Sequence, residues 1–275
     1  MFEWIKKNTL FVYFLLAYAV SWSIEIPIAL AAQGMIKAEF PYAIHYLASF
    51  GPMIAAIVVT VITKGSTGIR ALLNGVVKWR VGVGYYFAAI AFPLFFFGVS
   101  AFGTVLMQGS LPDLTLLGQT DYLPYLGIPG ALAVWLFSYG LGEEVGWRGF
   151  ALPHLQRTRS AYASSLLLGV IWAGWHLPAF FYRDTYIAMG FIVGFPLLVV
   201  SVTFGSIFLT WLYNSTNGST FIAILFHGVF NWLLTSGAGG EMSSMLMSAA
   251  VIFWAVRAIK IHGPANLAAA QKQVA

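Results

Sequence analysis

The feature that most constrains the fold of this chain is a series of long apolar segments. Each is close to the roughly 20 residues that a helix needs to cross the hydrocarbon core of a bilayer. Within lipid the backbone must satisfy its own hydrogen bonds, so such segments are expected to be helices. Eight can be marked, at about residues 9–32, 43–63, 82–107, 125–150, 160–181, 187–213, 219–235 and 242–259. The sequence therefore predicts an all-α, polytopic membrane helical bundle of about eight transmembrane helices, with residues 1–275 forming a single membrane domain.

The charge content agrees with a surface that faces lipid. Only 8% of the residues are charged, whereas a soluble domain carries about 25%. The chain contains no cysteine, which excludes disulfides, thiolate nucleophiles and cysteine-based zinc sites. We expect an integral, multi-pass protein of the cell (cytoplasmic) membrane, with membrane lipid as a partner and no nucleic acid.

The placement of basic residues predicts the orientation of the bundle. With the N-terminus inside, Lys37 and Arg183 fall in outer loops, and the other 12 of the 14 Lys and Arg residues fall on the inner side. Inner loops of membrane proteins are enriched in Lys and Arg. Both termini are therefore predicted to be cytoplasmic.

Three of the apolar segments contain polar residues that are costly to place in lipid. Ionisable residues at such positions are usually functional. The candidates are Glu143, Glu144 and Arg148 in the fourth segment, His176 in the fifth, and His227 and Asn231 in the seventh.

The spacing within the fourth segment separates its two glutamates. Glu144 and Arg148 are four residues apart, so they share a helical face and are expected to pair. Glu143 points about 100° away on an ideal helix. A buried carboxylate without a cation can act as a base near neutral pH. Gly142 and Gly146 form a small-residue face that favours close helix contact. The alternative is that both glutamates lie at the cytoplasmic surface together with Arg148.

The histidines of the fifth and seventh segments allow both functional and structural interpretations. His227 and Asn231 are four residues apart on one face, and both can donate hydrogen bonds. The alternative for this pair is polar contact between helices, and for His176 it is a core histidine bonded to a nearby carbonyl. Glu25 and His45 lie near the outer ends of their segments and are expected to be exposed at the interface.

These residues resemble the motifs of the CAAX protease and bacteriocin-processing (CPBP) family, which includes the type II CAAX prenyl endopeptidases. Glu143, Glu144 and Arg148 match its EExxxR motif, His176 matches the histidine of its FxxxH motif, and His227 and Asn231 match its HxxxN motif. The motifs occur in order, each in an apolar segment, and the resemblance extends from about residue 126 to 235. The phenylalanine of FxxxH is replaced by Trp172, a departure that affects packing near the site rather than the chemistry.

The resemblance implies an intramembrane endopeptidase whose catalytic core covers about residues 126–235. Glu143 and His176 would position and deprotonate a water that attacks the scissile carbonyl. His227 and Asn231 would stabilise the resulting oxyanion, a role that needs preorganised donors in a dry site. The substrate implied is a membrane-associated or lipidated protein or peptide.

The remaining matched residues have supporting roles, and no metal is favoured. Glu144 with Arg148 would be mainly structural, and Trp172 would support the site. No HExxH pair preorganises zinc ligands on one helix, and Asn231 has no role in a zinc site. The alternative is a zinc cofactor, whose ligands would be Glu143, His176 and His227.

Other intramembrane protease chemistries are excluded, but two other classes of protein remain open. The sequence has no HExxH motif, no rhomboid-like GxSG motif and no aspartate within a predicted span. A membrane transporter or proton-coupled channel could use the same polar residues, and a non-catalytic immunity or scaffold protein could share the fold. The pairing of Asn231 with His227 favours the protease, because a proton path does not need the asparagine.

Overall fold

The fold is a bundle of α-helices. The computed structural model describes residues 2–240 and 242–275, and these residues form helices and loops without a strand. The long helices are α1 (Thr9–Ala32), α2 (Tyr42–Val76), α3 (Val83–Gln108), α4 (127–156), α5 (Ala161–Phe181), α6 (Phe191–Ser215), α7 (Thr220–Thr235) and α8 (Ser243–Asn266). The predicted all-α, polytopic bundle is confirmed, and each predicted segment corresponds to one of these helices.

Two of the helices differ from simple membrane spans. In the described part of the chain, every long helix except α4 and α7 is long and apolar enough by itself to cross a membrane. Helix α7 has only 16 residues. Helix α4 is divided by two stretches of π-helix, Leu136–Glu143 and Trp147–Ala151. These two exceptions carry most of the candidate residues, and π-helical turns often occur at functional sites.

Helices α2 and α4 extend beyond their predicted ends. Helix α2 bends at Gly65, whose φ of 60° is a conformation that glycine adopts readily, and then continues to Val76. Helix α4 continues past residue 150 and ends at Gln156. This extension places Glu143 near the middle of α4.

Glycines allow α4 to approach α2 very closely. A Cβ added at Gly146 would lie 2.5 Å from the backbone carbonyl group of Pro52, and one added at Gly142 would lie 2.7 Å from the carbonyl oxygen of Ser49. Real Cβ atoms do not approach other atoms this closely, because packed interiors leave no room for the overlap. The small-residue face predicted for α4 is therefore in contact with α2.

A second pair of glycines allows α4 to approach α7. A Cβ at Gly140 would lie 2.8 Å from the carbonyl oxygen of Ile224, and a Cβ at Gly228 would lie 2.9 Å from the Cα of Leu136. Helix α4 is thus held between α2 and α7 by backbone contacts on two faces. This contact fixes where Glu143 and Glu144 lie relative to α7.

Candidate active site

The two adjacent glutamates of α4 are fully buried but have different partners. Glu143, Glu144 and Arg148 each have 0% of their surface exposed. Nη1 of Arg148 donates to Oε1 of Glu144 at 2.9 Å, which confirms the contact expected from their spacing. Burial of all three residues inside the protein contradicts the alternative of a solvated cluster at the surface.

Glu144 also contacts the histidine of α7. Nδ1 of His227 lies 2.7 Å from the same Oε1 atom that accepts from Arg148. A carboxylate oxygen accepts, so Nδ1 carries the hydrogen and the Nε2 side of the ring is left for another partner. The other oxygen of Glu144, Oε2, is buried with no hydrogen-bond partner in the described residues. Glu144 therefore joins α4 to α7 through a carboxylate shared by two nitrogen donors.

Glu143 is bound by two tryptophans. Nε1 of Trp172 donates to Oε2 of Glu143 at 2.6 Å, and Nε1 of Trp147 donates to the same oxygen at 3.3 Å. The second oxygen, Oε1, is buried and has no partner among residues 2–240 and 242–275. Within those residues Arg148 pairs with Glu144 and not with Glu143, as their positions on the helix predicted.

His176 ends the regular part of α5, and the carbonyl of Trp172 orients its ring. Nδ1 of His176 lies 2.8 Å from the carbonyl oxygen of Trp172, so Nδ1 donates and Nε2 is left to accept a proton. The core-histidine alternative requires a contact of this kind, so the contact does not by itself separate the two interpretations. Trp172 therefore bonds to both Glu143 and His176.

Trp172 has a larger part in the site than its sequence position suggested. The guanidinium of Arg148 lies 4.5 Å from the centre of its ring, and the ring of His227 lies against it with centroids 5.3 Å apart. The prediction that this departure from the family pattern concerns only packing is incomplete, because the indole N–H is bonded to Glu143. The available signal was that a buried indole N–H usually finds a hydrogen-bond partner.

Asn231 lies one helical turn beyond His227 on α7. It is only partly buried, and its carbonyl accepts a hydrogen bond from Oγ1 of Thr235 at 2.8 Å. Its side-chain amide makes no hydrogen bond in the described part of the chain. The amide of Asn231 and Nε2 of His227 are thus both free of protein hydrogen bonds and one turn apart, so they could serve an incoming group.

The described residues hold no ready cluster of metal ligands. Within residues 2–240 and 242–275, no group of three or more His, Asp or Glu side chains is placed to hold a metal ion. Nδ1 of His227 is bonded to Glu144, and Oε2 of Glu143 is bonded to the indoles. Nε2 of His227 and Oε1 of Glu143 are therefore the atoms left for another partner. The choice between metal-free and zinc chemistry stays a prediction.

A second buried polar cluster lies near the C-terminal end of α1. The prediction that Glu25 and His45 are exposed is wrong, since their exposed fractions are 6% and 2%. Glu25 accepts a hydrogen bond from the hydroxyl of Tyr182 at 3.0 Å, and Arg183 forms a 2.5 Å ion pair with Asp121. The loops after α1, α3 and α5 cover these residues, and loop packing of this kind has no sequence periodicity that could have revealed it.

The fold and the site together define a class of protein, namely a polytopic helical membrane protein with buried carboxylates facing histidines of neighbouring helices. Residues 125–233 match the protein family described as type II CAAX prenyl endopeptidase Rce1-like. A curated relative, CAAX prenyl protease 2 of Methanococcus maripaludis, is 30% identical over 119 residues, which make up 41% of this chain. The chain matches 40% of the length of that relative. The resemblance to the CAAX protease family is confirmed over a region that contains all three motifs.

Proposed function

We propose that this chain is an intramembrane endopeptidase of the CAAX protease type. The observation that supports the proposal best is the environment of Glu143, a fully buried carboxylate with one oxygen that has no partner among the described residues. Glu143 lies on α4, next to Glu144, which bonds to His227. Trp172 bonds to Glu143 through its indole and to His176 through its backbone carbonyl. The reaction proposed is hydrolysis of a peptide bond by an activated water.

In the first step Glu143 and His176 act on the water. Oε1 of Glu143 is the available base, and Nε2 of His176 is free to accept a hydrogen bond from the same water. The water gives one proton to the base while its oxygen attacks the scissile carbonyl carbon. When the tetrahedral intermediate collapses, that proton passes to the departing amine.

In the same step His227 and Asn231 stabilise the oxyanion. The amide of Asn231 has two N–H donors, and neither is used within the described chain. His227 already uses Nδ1 on Glu144, so it can also donate from Nε2 only when both ring nitrogens carry hydrogen. The carboxylate of Glu144 is the group that would balance the positive charge of that ring. Removing one such donor typically lowers kcat about 100- to 1000-fold.

The substrate proposed is a membrane-associated protein, and a lipidated C-terminal peptide is the first candidate. The name of the Methanococcus relative states that it is a prenyl protease, and this supports a prenylated substrate here. The transporter alternative gains no support from the site, since the free groups of α4, α5 and α7 suit one bound water and one carbonyl.

The test uses the protein purified in detergent, with a prenylated peptide and the same peptide without the lipid. We expect the wild type to cleave the prenylated peptide and Glu143→Gln to lose at least about 1000-fold in kcat, because it lacks the base. Glu39→Gln, which changes an exposed loop glutamate, is the matched control and should retain full activity. Cleavage by Glu143→Gln at the wild-type rate would contradict the role of the base, and cleavage of neither peptide by the wild type would contradict the substrate.

The same preparation tests the metal-free chemistry that we propose. Metal content is measured before and after treatment with a chelator, and cleavage is assayed in both states. We expect activity to be independent of zinc. One zinc per chain, with activity lost on stripping and restored by zinc, would instead identify Glu143, His176 and His227 as ligands.

A further inference from the structure

The two oxygens of the buried carboxylate on Glu143 are not equivalent. Oε2 accepts from Trp172 at 2.6 Å and from Trp147 at 3.3 Å, whereas Oε1 has no partner in the described residues. The terminal torsion of a glutamate side chain is broad, so an unrestrained carboxylate can exchange its oxygens. Two donors on one oxygen, one from α5 and one from α4, oppose that rotation.

The indole of Trp172 is itself held in place on several sides. The guanidinium of Arg148 covers its ring at 4.5 Å, and its own carbonyl accepts from Nδ1 of His176. Trp147 is 0% exposed and lies four residues after Glu143 on α4. The contact from Trp172 is the shorter of the two, so Trp172 is the stronger restraint on the carboxylate.

We propose that Trp172, assisted by Trp147, is a positioning residue that holds Oε2 of Glu143 and so leaves Oε1 as the atom that takes the proton from the water. The proposal rests on the proposed function, in which Glu143 is the base. The phenylalanine that the FxxxH motif has at this position has no N–H to donate. This chain therefore uses a device that the motif does not encode, and through Trp172 it ties the base to His176.

The test compares two tryptophan-to-phenylalanine changes on the same helix. Trp172→Phe removes the indole N–H that bonds to Glu143 while keeping an aromatic ring. Trp175→Phe is the matched control, because its indole is also buried but its Nε1 has no partner in the described chain. The Trp175 ring packs against Trp147 and His176, so this change trims a ring beside the same residues without removing a hydrogen bond. Trp147→Phe removes the longer of the two contacts.

We expect Trp172→Phe to lower kcat about tenfold, the size of effect that loss of a hydrogen bond to a charged group produces, with KM changed less than about twofold. Trp147→Phe should lower kcat by a smaller factor, and Trp175→Phe should keep kcat within about twofold of the wild type. A merely structural role for Trp172 would change KM together with kcat. Equal kcat values for Trp172→Phe and Trp175→Phe would overturn the proposal.

A second measurement tests the hydrogen bond between Trp172 and Glu143 without relying on activity. The midpoint of thermal unfolding, Tm, is measured for Trp172→Phe and Trp175→Phe, each alone and combined with Glu143→Leu. Changes in bonded residues do not add, whereas changes without a shared contact do. We expect a strong departure from additivity of the Tm shifts for Trp172→Phe, because Trp172 bonds to Glu143, and a weaker one for Trp175→Phe, because Trp175 only shares the neighbour Trp147 with it. Equal departures for the two variants would overturn the contact.

The two measurements separate this proposal from the proposed function. If the wild type cleaves no peptide, the proposed function fails and the positioning role fails with it. If the wild type cleaves a peptide but Trp172→Phe and Trp175→Phe have equal kcat values, the positioning role alone fails.

Discussion

At the scale of single residues, the site depends on two neighbouring glutamates that have unlike surroundings. Glu144 shares one oxygen between Arg148 and His227, while Glu143 in the described part of the chain accepts only from indoles. Glu144 therefore holds Arg148 and His227 in place, and Oε1 of Glu143 is left for another partner. Adjacent positions can differ in this way because successive side chains on a helix point about 100° apart.

The ion pair on α4 predicts an order of stabilities among three variants. Glu144→Gln and Arg148→Met should each destabilise the protein by about 3–5 kcal/mol, because each leaves a buried charge without its partner. Glu143→Gln should be less harmful, since no cation is bonded to that carboxylate. Thermal unfolding of the purified variants in detergent measures the order.

A double variant provides the control for this prediction. Glu144→Gln combined with Arg148→Met removes both charges and should lower stability by less than the sum of the single changes. Equal stability of all three single variants would contradict the structural role of the pair.

At the scale of helices, the contact of α4 with α2 and α7 determines whether the site can form. Gly142 and Gly146 face α2, while Gly140 faces α7. The two π-helical stretches of α4 lie on either side of Glu144–Gly146. Because α7 carries His227 and contacts α4 backbone to backbone, a shift of either helix would separate His227 from Glu144.

The closest of these contacts gives a prediction about helix packing. Gly146→Ala places a methyl group where Pro52 leaves only 2.5 Å, so α4 must move away from α2. Overpacking of this kind costs about 1–3 kcal/mol, and we expect a lower Tm together with lower activity.

Gly103→Ala is the matched control for that change. Gly103 lies in the C-terminal part of α3, and no atom lies within 4 Å of a Cβ added there. Alanine favours helix more than glycine does, so this variant should be as stable as the wild type or more stable. A Gly146→Ala variant as stable as Gly103→Ala would show that α4 does not need its close contact with α2.

At the scale of the whole molecule, the orientation in the membrane is predicted from charge rather than from the fold. Eight crossings would return the chain to the side on which it began, and the predicted orientation leaves only Lys37 and Arg183 of the 14 basic residues on the opposite side. The predicted orientation places those two residues outside the cell.

Reporter fusions test this orientation directly. A fusion after residue 110, in the loop that follows α3, should report an outside location, and a fusion after residue 275 should report an inside location. Each position is tested with two reporters, one that is active only in the cytoplasm and one that is active only outside, so that each controls for the other. A C-terminal fusion that reports outside would contradict the predicted orientation.

The sequence by itself determined the helical bundle, the positions of its helices and the residues of the candidate site. Long apolar runs in lipid must be helical because the backbone has no other partner, so these features follow from local pattern. The Glu144–Arg148 pair was equally accessible, because residues four apart on a helix are neighbours. The matched region 125–233 contains all three motifs, and these can be read directly from the chain.

Only the tertiary structure decided which atoms of the site are free. His227 and Glu144 are 83 residues apart, and Trp172 and Glu143 are 29 apart, so no local spacing relates them. The burial of Glu25 and His45 likewise results from loops that fold over the ends of helices. Such contacts depend on which helix meets which. The sequence predicted a small-residue face on α4, but only the packed bundle shows that this face lies against α2.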